Sequence, residues 1–180
     1  SAACREFKLP LYMDGARLIY GLVSKETDVT LQDIAEFCDI FYIGGTKVGA
    51  LFGEAVVIKN PELAQDFRYL IKQNGGMLAK GRLLGLQFDA LFTDCLYQEI
   101  SAHAIAMAEK LREAFTAKGY NYLAPNRTNQ IFVIVPDAHL AKISEQFEYS
   151  YDQRIDATHS CVRFCTSWAT KEENVDALIR

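Results

Sequence analysis

Two short apolar runs, residues 9–13 and 40–43, each end in a polar, glycine-containing tetrapeptide: Asp14-Gly-Ala-Arg17 and Gly44-Gly-Thr-Lys47. The stretch between them holds Thr30-Leu-Gln-Asp33, a capping box with Asp in the place usually held by Glu or Gln, which opens a helix through Phe37. Parallel strands cannot be joined by a tight turn, so strand, helix and strand within about 30 residues is the pattern of a crossover in a parallel sheet. It commits the front of the chain to an α/β layer. Such sheets collect ligands outside the carboxyl ends of their strands, where both tetrapeptides fall.

The remaining pattern extends this layout. Residues 9–13 read as a buried strand, and a third apolar run, 55–58, closes at Asn60-Pro61. From Pro61 the pattern turns helical, with Leu63, Phe67, Leu70 and Ile71 at three- and four-residue spacing until Gly75-Gly76. Leu83, Leu84, Phe88, Leu91 and Phe92 mark a further helix, and a long one from about 98 to 118 ends at Gly119. A strand at 131–135, a short helix at 140–147, a strand at 161–165 and a last helix capped by Thr170 follow. The order divides the chain into residues 1–95, the remainder of a large α/β domain, and 96–180, a small α+β domain. The first residues have helical character with no cap ahead of them, and the last helix has no Gly or Asn terminator, so we expect a piece of a longer protein.

Composition removes several functions. Lys plus Arg total 19 and Asp plus Glu 23, for a net charge of −4, and no cationic block is present to neutralise a phosphate backbone, which argues against nucleic acid. The longest apolar stretch, 48–58, is interrupted by Gly49, Gly53 and Glu54 and falls short of the roughly 20 residues a spanning helix needs. No membrane anchor is expected. Five cysteines, odd in number and without a C-x-x-C, read as reduced thiols in a cytoplasmic protein. His103, His139 and His159 are too dispersed for a metal site.

Neighbouring strands would set Asp14 and Lys47 against one crevice. Singly each has an ordinary explanation, since Asp-Gly is a common turn and a loop lysine is usually solvated. Together they meet one chemical demand. A lysine in a sheltered, glycine-lined pocket can form a Schiff base with an aldehyde, and a carboxylate against a pyridine nitrogen keeps that nitrogen protonated. Those are the two requirements of pyridoxal 5′-phosphate. Arg17 and Arg163 offer planar forks that match a substrate α-carboxylate. The alternative is a non-catalytic α/β oligomerisation module in which Asp14 and Lys47 form a structural ion pair.

The two tetrapeptides, together with Gly49-Ala-Leu-Phe-Gly-Glu-Ala55 and Val162-Arg-Phe-Cys-Thr-Ser-Trp-Ala-Thr170, resemble the threonine aldolase and aromatic amino-acid β-eliminating lyase family of fold-type I pyridoxal-phosphate enzymes. The resemblance covers essentially the whole chain. It implies the back part of a fold-type I large domain plus a small C-terminal α+β domain, with Lys47 as the lysine bonded to the cofactor and Asp14 as partner of the pyridine nitrogen. It further implies that Arg17 and Arg163 clamp the substrate carboxylate. Thr46, beside Lys47, is a candidate phosphate ligand, though N-capping or loop closure explains it equally well, and in a family dimer Lys80 or Arg82 is a candidate to reach the partner's cofactor phosphate, the alternative being a solvated loop before a helix. Family members are homodimers or homotetramers with active sites at the subunit interface. The expected activity is that of a low-specificity L-threonine aldolase, cleaving threonine or allo-threonine to glycine and acetaldehyde; β-elimination from an aromatic amino acid, and transamination on the same fold, stay open. The family's phosphate-binding turn, ring-stacking side chain and hydroxyl base belong to a front half, so these 180 residues alone are expected to bind cofactor poorly and to be inactive.

Overall fold

The computed structural model describes residues 1–180. The chain forms two compact units, residues 1–22 with 27–99, and residues 23–26 with 100–180. The first unit is built on a three-stranded sheet of β1 (Tyr12–Met13), β2 (Ile40–Gly44) and β3 (Glu54–Ile58), in that spatial order. β1 and β2 run parallel, with Tyr12 opposite Ile40 and Met13 opposite Phe41, as the crossover pattern requires. Helices α2 (Leu18–Leu22) and α3 (Leu31–Phe37) occupy the connection. Thr30 and Asp33 close the expected capping box: the Asp33 amide donates to Thr30 Oγ1 at 3.2 Å and the Thr30 amide to Asp33 Oδ2 at 2.7 Å. β3 departs from the parallel arrangement. It returns antiparallel to β2, pairing Glu54 with Gly44 and Ile58 with Ile40, because only nine residues separate the two strands.

The first strand is also shorter and less buried than its apolar run predicts. Leu9 and Tyr12 are both largely exposed. Pro10 has no N–H to give to a ladder, Lys8 at φ 54° ends the short helix α1 (Ala2–Glu6), and strand pairing begins only at Tyr12, at the sheet edge. The helical stretch expected from Pro61 is split: a 3-10 turn at Pro61–Ala64 is separated from α4 (Phe67–Gln73) by Asp66 at φ 58°. α5 (Arg82–Phe92) follows the predicted apolar spacing. Asp94 and Cys95, both at positive φ, break the path before α6 (Leu96–Ala117).

α6 ends as its glycine demands: Gly119 lies at φ 78° and the Tyr120 amide reaches back to the Phe115 carbonyl at 3.0 Å. The second unit is an antiparallel sheet of β4 (Asn121–Tyr122), β5 (Gln130–Pro136), β7 (His159–Cys165) and β6 (Ser150–Arg154), in that order, with α7 (Asp137–Ser144) and α8 (Glu172–Ile179). Ile131, Val133 and Val135 alternate inward along β5 and pack with Leu111, Phe115 and Phe164 in the core. Thr170 does not cap α8. Its Oγ1 accepts from the Ser167 amide at 2.8 Å in a local turn, and Lys171 holds the cap position without a side-chain bond.

Candidate active site

Two glycines bring the tetrapeptides together. A Cβ on Gly15 would stand 1.6 Å from the Tyr42 carbonyl oxygen, and one on Gly44 would stand 2.5 Å from that of Ala16. The backbones therefore meet more closely than any side chain permits, and the Gly44 amide donates to the Gly15 carbonyl at 3.0 Å. Because β1 and β2 are parallel, Asp14 and the 44–47 loop leave the sheet at the same edge. Asp14 is exposed, yet its Oδ1 accepts from both the Ala16 amide, at 3.0 Å, and the Tyr42 hydroxyl. No donor engages Oδ2. The Tyr42 hydroxyl, the Ala16 amide and the positive charges of Lys47 and Arg17 hold the Asp14 carboxyl below its ordinary value, so it is a carboxylate at neutral pH. The same contact pushes the Tyr42 phenol up to about 12, so at neutral pH it is protonated and is the donor in this bond.

The lysine loop is held through its backbone and the Thr46 hydroxyl, not through the Lys47 amine. Glu54, paired across the ladder with Gly44, accepts the Gly45 amide at 2.7 Å and the Thr46 hydroxyl at 3.2 Å. Tyr20, fully buried, donates its hydroxyl to the Lys47 carbonyl at 2.7 Å, and Tyr97 donates to the Gly44 carbonyl at 2.5 Å. Burial pushes the Tyr97 phenol up, so it too stays protonated. The Val48 and Ala50 amides both return to the Gly45 carbonyl, and Gln87 of α5 accepts from the Leu51 amide at 2.6 Å. The backbone of Lys47 is thus fixed while its half-buried side chain forms no ion pair.

Asp14, Arg17, Thr46 and Lys47 share one edge of the first sheet. Arg17 is half-buried, and its Nε is enclosed without a hydrogen-bond partner. Lys80 and Arg82 lie exposed where α5 begins, and no bond joins them to the Asp14–Lys47 cluster. Arg163 belongs to the second unit, on β7; its guanidinium donates to Ser150 Oγ at 3.2 Å and its Nε is also buried and unpartnered. No group of His, Cys, Asp and Glu side chains is arranged to hold a metal ion. All five cysteines are free thiols. Sequence reasoning passed over Tyr42, Glu54, Tyr20 and Tyr97. For Tyr42 a signal existed: Phe41 and Ile43 are core residues, so strand alternation turns Tyr42 to the other face. Glu54 lay inside a quoted motif but only the register reveals its reach to Gly45.

An α/β sheet with a lysine loop and an acidic turn at one edge defines a class, and the comparisons agree with it. Residues 1–138 match the beta-eliminating lyase family, and the chain belongs to that family. Its fold is that of the fold-type I pyridoxal-phosphate enzymes. Among relatives, the low specificity L-threonine aldolase of Pseudomonas sp. (strain NCIMB 10558) is 30% identical over 179 residues, covering 99% of this chain and 51% of that protein. The threonine aldolase structure from Leishmania major superposes with a TM-score of 0.96 at 41% identity, covering 99% of this chain and 52% of that one. An aspartate aminotransferase from Thermus thermophilus, at 16% identity and a TM-score of 0.67, shares the fold over 99% of this chain and 48% of its own. The chain spans about half the length of the curated relatives it matches.

Proposed function

We propose that this chain is part of a pyridoxal-phosphate-dependent amino-acid lyase of the low-specificity L-threonine aldolase type, converting threonine or allo-threonine to glycine and acetaldehyde. The observation that carries the reading is the pairing, at one sheet edge, of a carboxylate with one free oxygen and a backbone-fixed lysine with an unpaired amine. The donor set fits the cofactor: an ionised acid for a ring N–H, an amine for an aldehyde carbon, and in Arg17 an enclosed nitrogen still wanting an acceptor. When bound, pyridoxal phosphate supplies an electron sink for the pair released as the Cα–Cβ bond breaks.

Lys47 holds the cofactor through its side-chain nitrogen. Asp14 keeps a proton on the ring nitrogen, and the lowered carboxyl lets it do so as an anion. Arg17 takes the substrate carboxylate in a fork, and Arg163 is proposed as a carboxylate-binding group of the second unit. Thr46 is proposed as a phosphate ligand through its hydroxyl proton, which here is donated to Glu54 at 3.2 Å and would turn to a phosphate oxygen, and Lys80 or Arg82 as phosphate-binding cations across a subunit boundary. The working assembly is proposed to be a cytoplasmic homodimer or homotetramer. Free cysteines and the lack of any helix long and apolar enough to cross a membrane support that placement.

Product analysis of the full-length protein offered L-threonine, L-allo-threonine, tyrosine and tryptophan tests the reading. Glycine and acetaldehyde are expected. Phenol or indole with pyruvate would reassign the reaction to β-elimination, and no product from any of the four would favour a non-catalytic module.

A further inference from the structure

We infer that Tyr42 is a positioning residue for Asp14, holding one carboxylate oxygen so that the other faces a protonated ring nitrogen in a single orientation. The inference rests on the pyridoxal-phosphate reading above. An exposed aspartate on a turn is ordinarily free to rotate about two side-chain bonds, and the Ala16 amide alone makes the local bond that any Asp-Gly turn offers. Tyr42 adds a second donor to the same oxygen from a neighbouring strand, 28 positions along the chain. Two donors arriving at Oδ1 fix the plane of the carboxylate and leave Oδ2 as its open acceptor. The hydroxyl cannot exchange roles. The hydrogen bond to Asp14 and the negative charges of Asp14 and Glu54 keep the phenol protonated at neutral pH. Its ring, tilted against Tyr12 at a centroid distance of 6.4 Å, is fixed independently of the hydroxyl, so Tyr42→Phe removes the donor and keeps the packing.

The test is a double-mutant cycle on cofactor binding in the full-length protein. Dissociation constants for pyridoxal phosphate are read by absorbance titration for wild type, Tyr42→Phe, Asp14→Asn and the double variant. Tyr42→Phe is expected to weaken binding about tenfold, and the double variant to bind no worse than Asp14→Asn alone, since Tyr42 acts only through Asp14. Additive losses, or an unchanged constant in Tyr42→Phe, would overturn the inference. Carboxyl NMR of the cofactor-free protein supplies a second readout: the Asp14 midpoint should rise toward 3.8 in Tyr42→Phe, and an unmoved midpoint counts against the role. Should Tyr42→Phe not fold, labelled-tyrosine NMR of Asp14→Asn reads the contact from the other side, with the Tyr42 phenol expected to fall from about 12 toward 10 and a phenol that stays high overturning the pairing. A wild type that binds no pyridoxal phosphate defeats the parent reading, whereas a wild type that binds it with an indifferent Tyr42 defeats only this inference.

Discussion

Asp14 and Lys47 lie outside the core, and what makes them a site is the bonding around them. One oxygen of Asp14 is doubly held and the other is open; the carbonyl of Lys47 is bonded and its amine is not. Asp14→Asn keeps the shape of the turn but cannot hold a charge beside a ring N–H. At saturating cofactor, turnover is expected to fall by about 100-fold or more while Lys47 is still labelled; steady-state kinetics showing undiminished turnover would refute the role given to Asp14. At this scale the sequence was half legible. An acid, an amine and two arginines can be picked out because, although each is ordinary alone, together they meet one chemical demand. Tyr42, Tyr20 and Tyr97 could not, because a tyrosine in an apolar run reads as packing until the register shows where its hydroxyl ends. Glu54 was hidden for the same reason, since its partners at 45 and 46 depend on an antiparallel return that the apolar pattern does not encode.

Among elements, the legible ones were those whose two faces differ sharply. β5 alternates buried and half-buried residues along its length and was readable, whereas β6 is exposed throughout and carries no apolar period at all. The close approach of β1 to β2 makes a direct prediction. Gly15→Ala drives a methyl group into the Tyr42 carbonyl and should cost at least about 3 kcal/mol in urea unfolding, whereas Gly21→Ala, with open space around its Cβ in α2, should be neutral or stabilising by up to about 1 kcal/mol. Equal effects at the two positions would contradict the packing described. The turn between β6 and β7 predicts a pH dependence. Asp156 accepts the Thr158 and His159 amides at 2.7 and 2.8 Å, and these bonds, with the His159 ring, pull its carboxyl down to about 2. A folded value below the unfolded 3.8 means that the contribution is complete above about pH 4 and is lost as pH falls through about 2. The melting temperature of Asp156→Ala should therefore lie below wild type at neutral pH, with the gap narrowing as the pH is lowered from about 4 to about 2. A gap independent of pH would remove the carboxylate from the explanation.

For the whole molecule, composition excluded classes of function but did not choose one, and the choice came from two tetrapeptides and the sheet edge they share. Family membership and the fold agree with that choice, and the chain spans about half the length of the relatives it matches, so the activity is a property to be measured on the full-length protein. The α/β class was legible because a parallel crossover leaves few alternatives; the antiparallel return of β3 was not, because an apolar run marks a strand without saying which way it runs beside its neighbour. The most direct measurement is borohydride reduction of the full-length protein mixed with pyridoxal phosphate, followed by peptide mapping. A yellow protein whose label sits on Lys47, and which loses both colour and label in Lys47→Ala, is the predicted result; a colourless protein, or label scattered over surface lysines and untouched by Lys47→Ala, would contradict it.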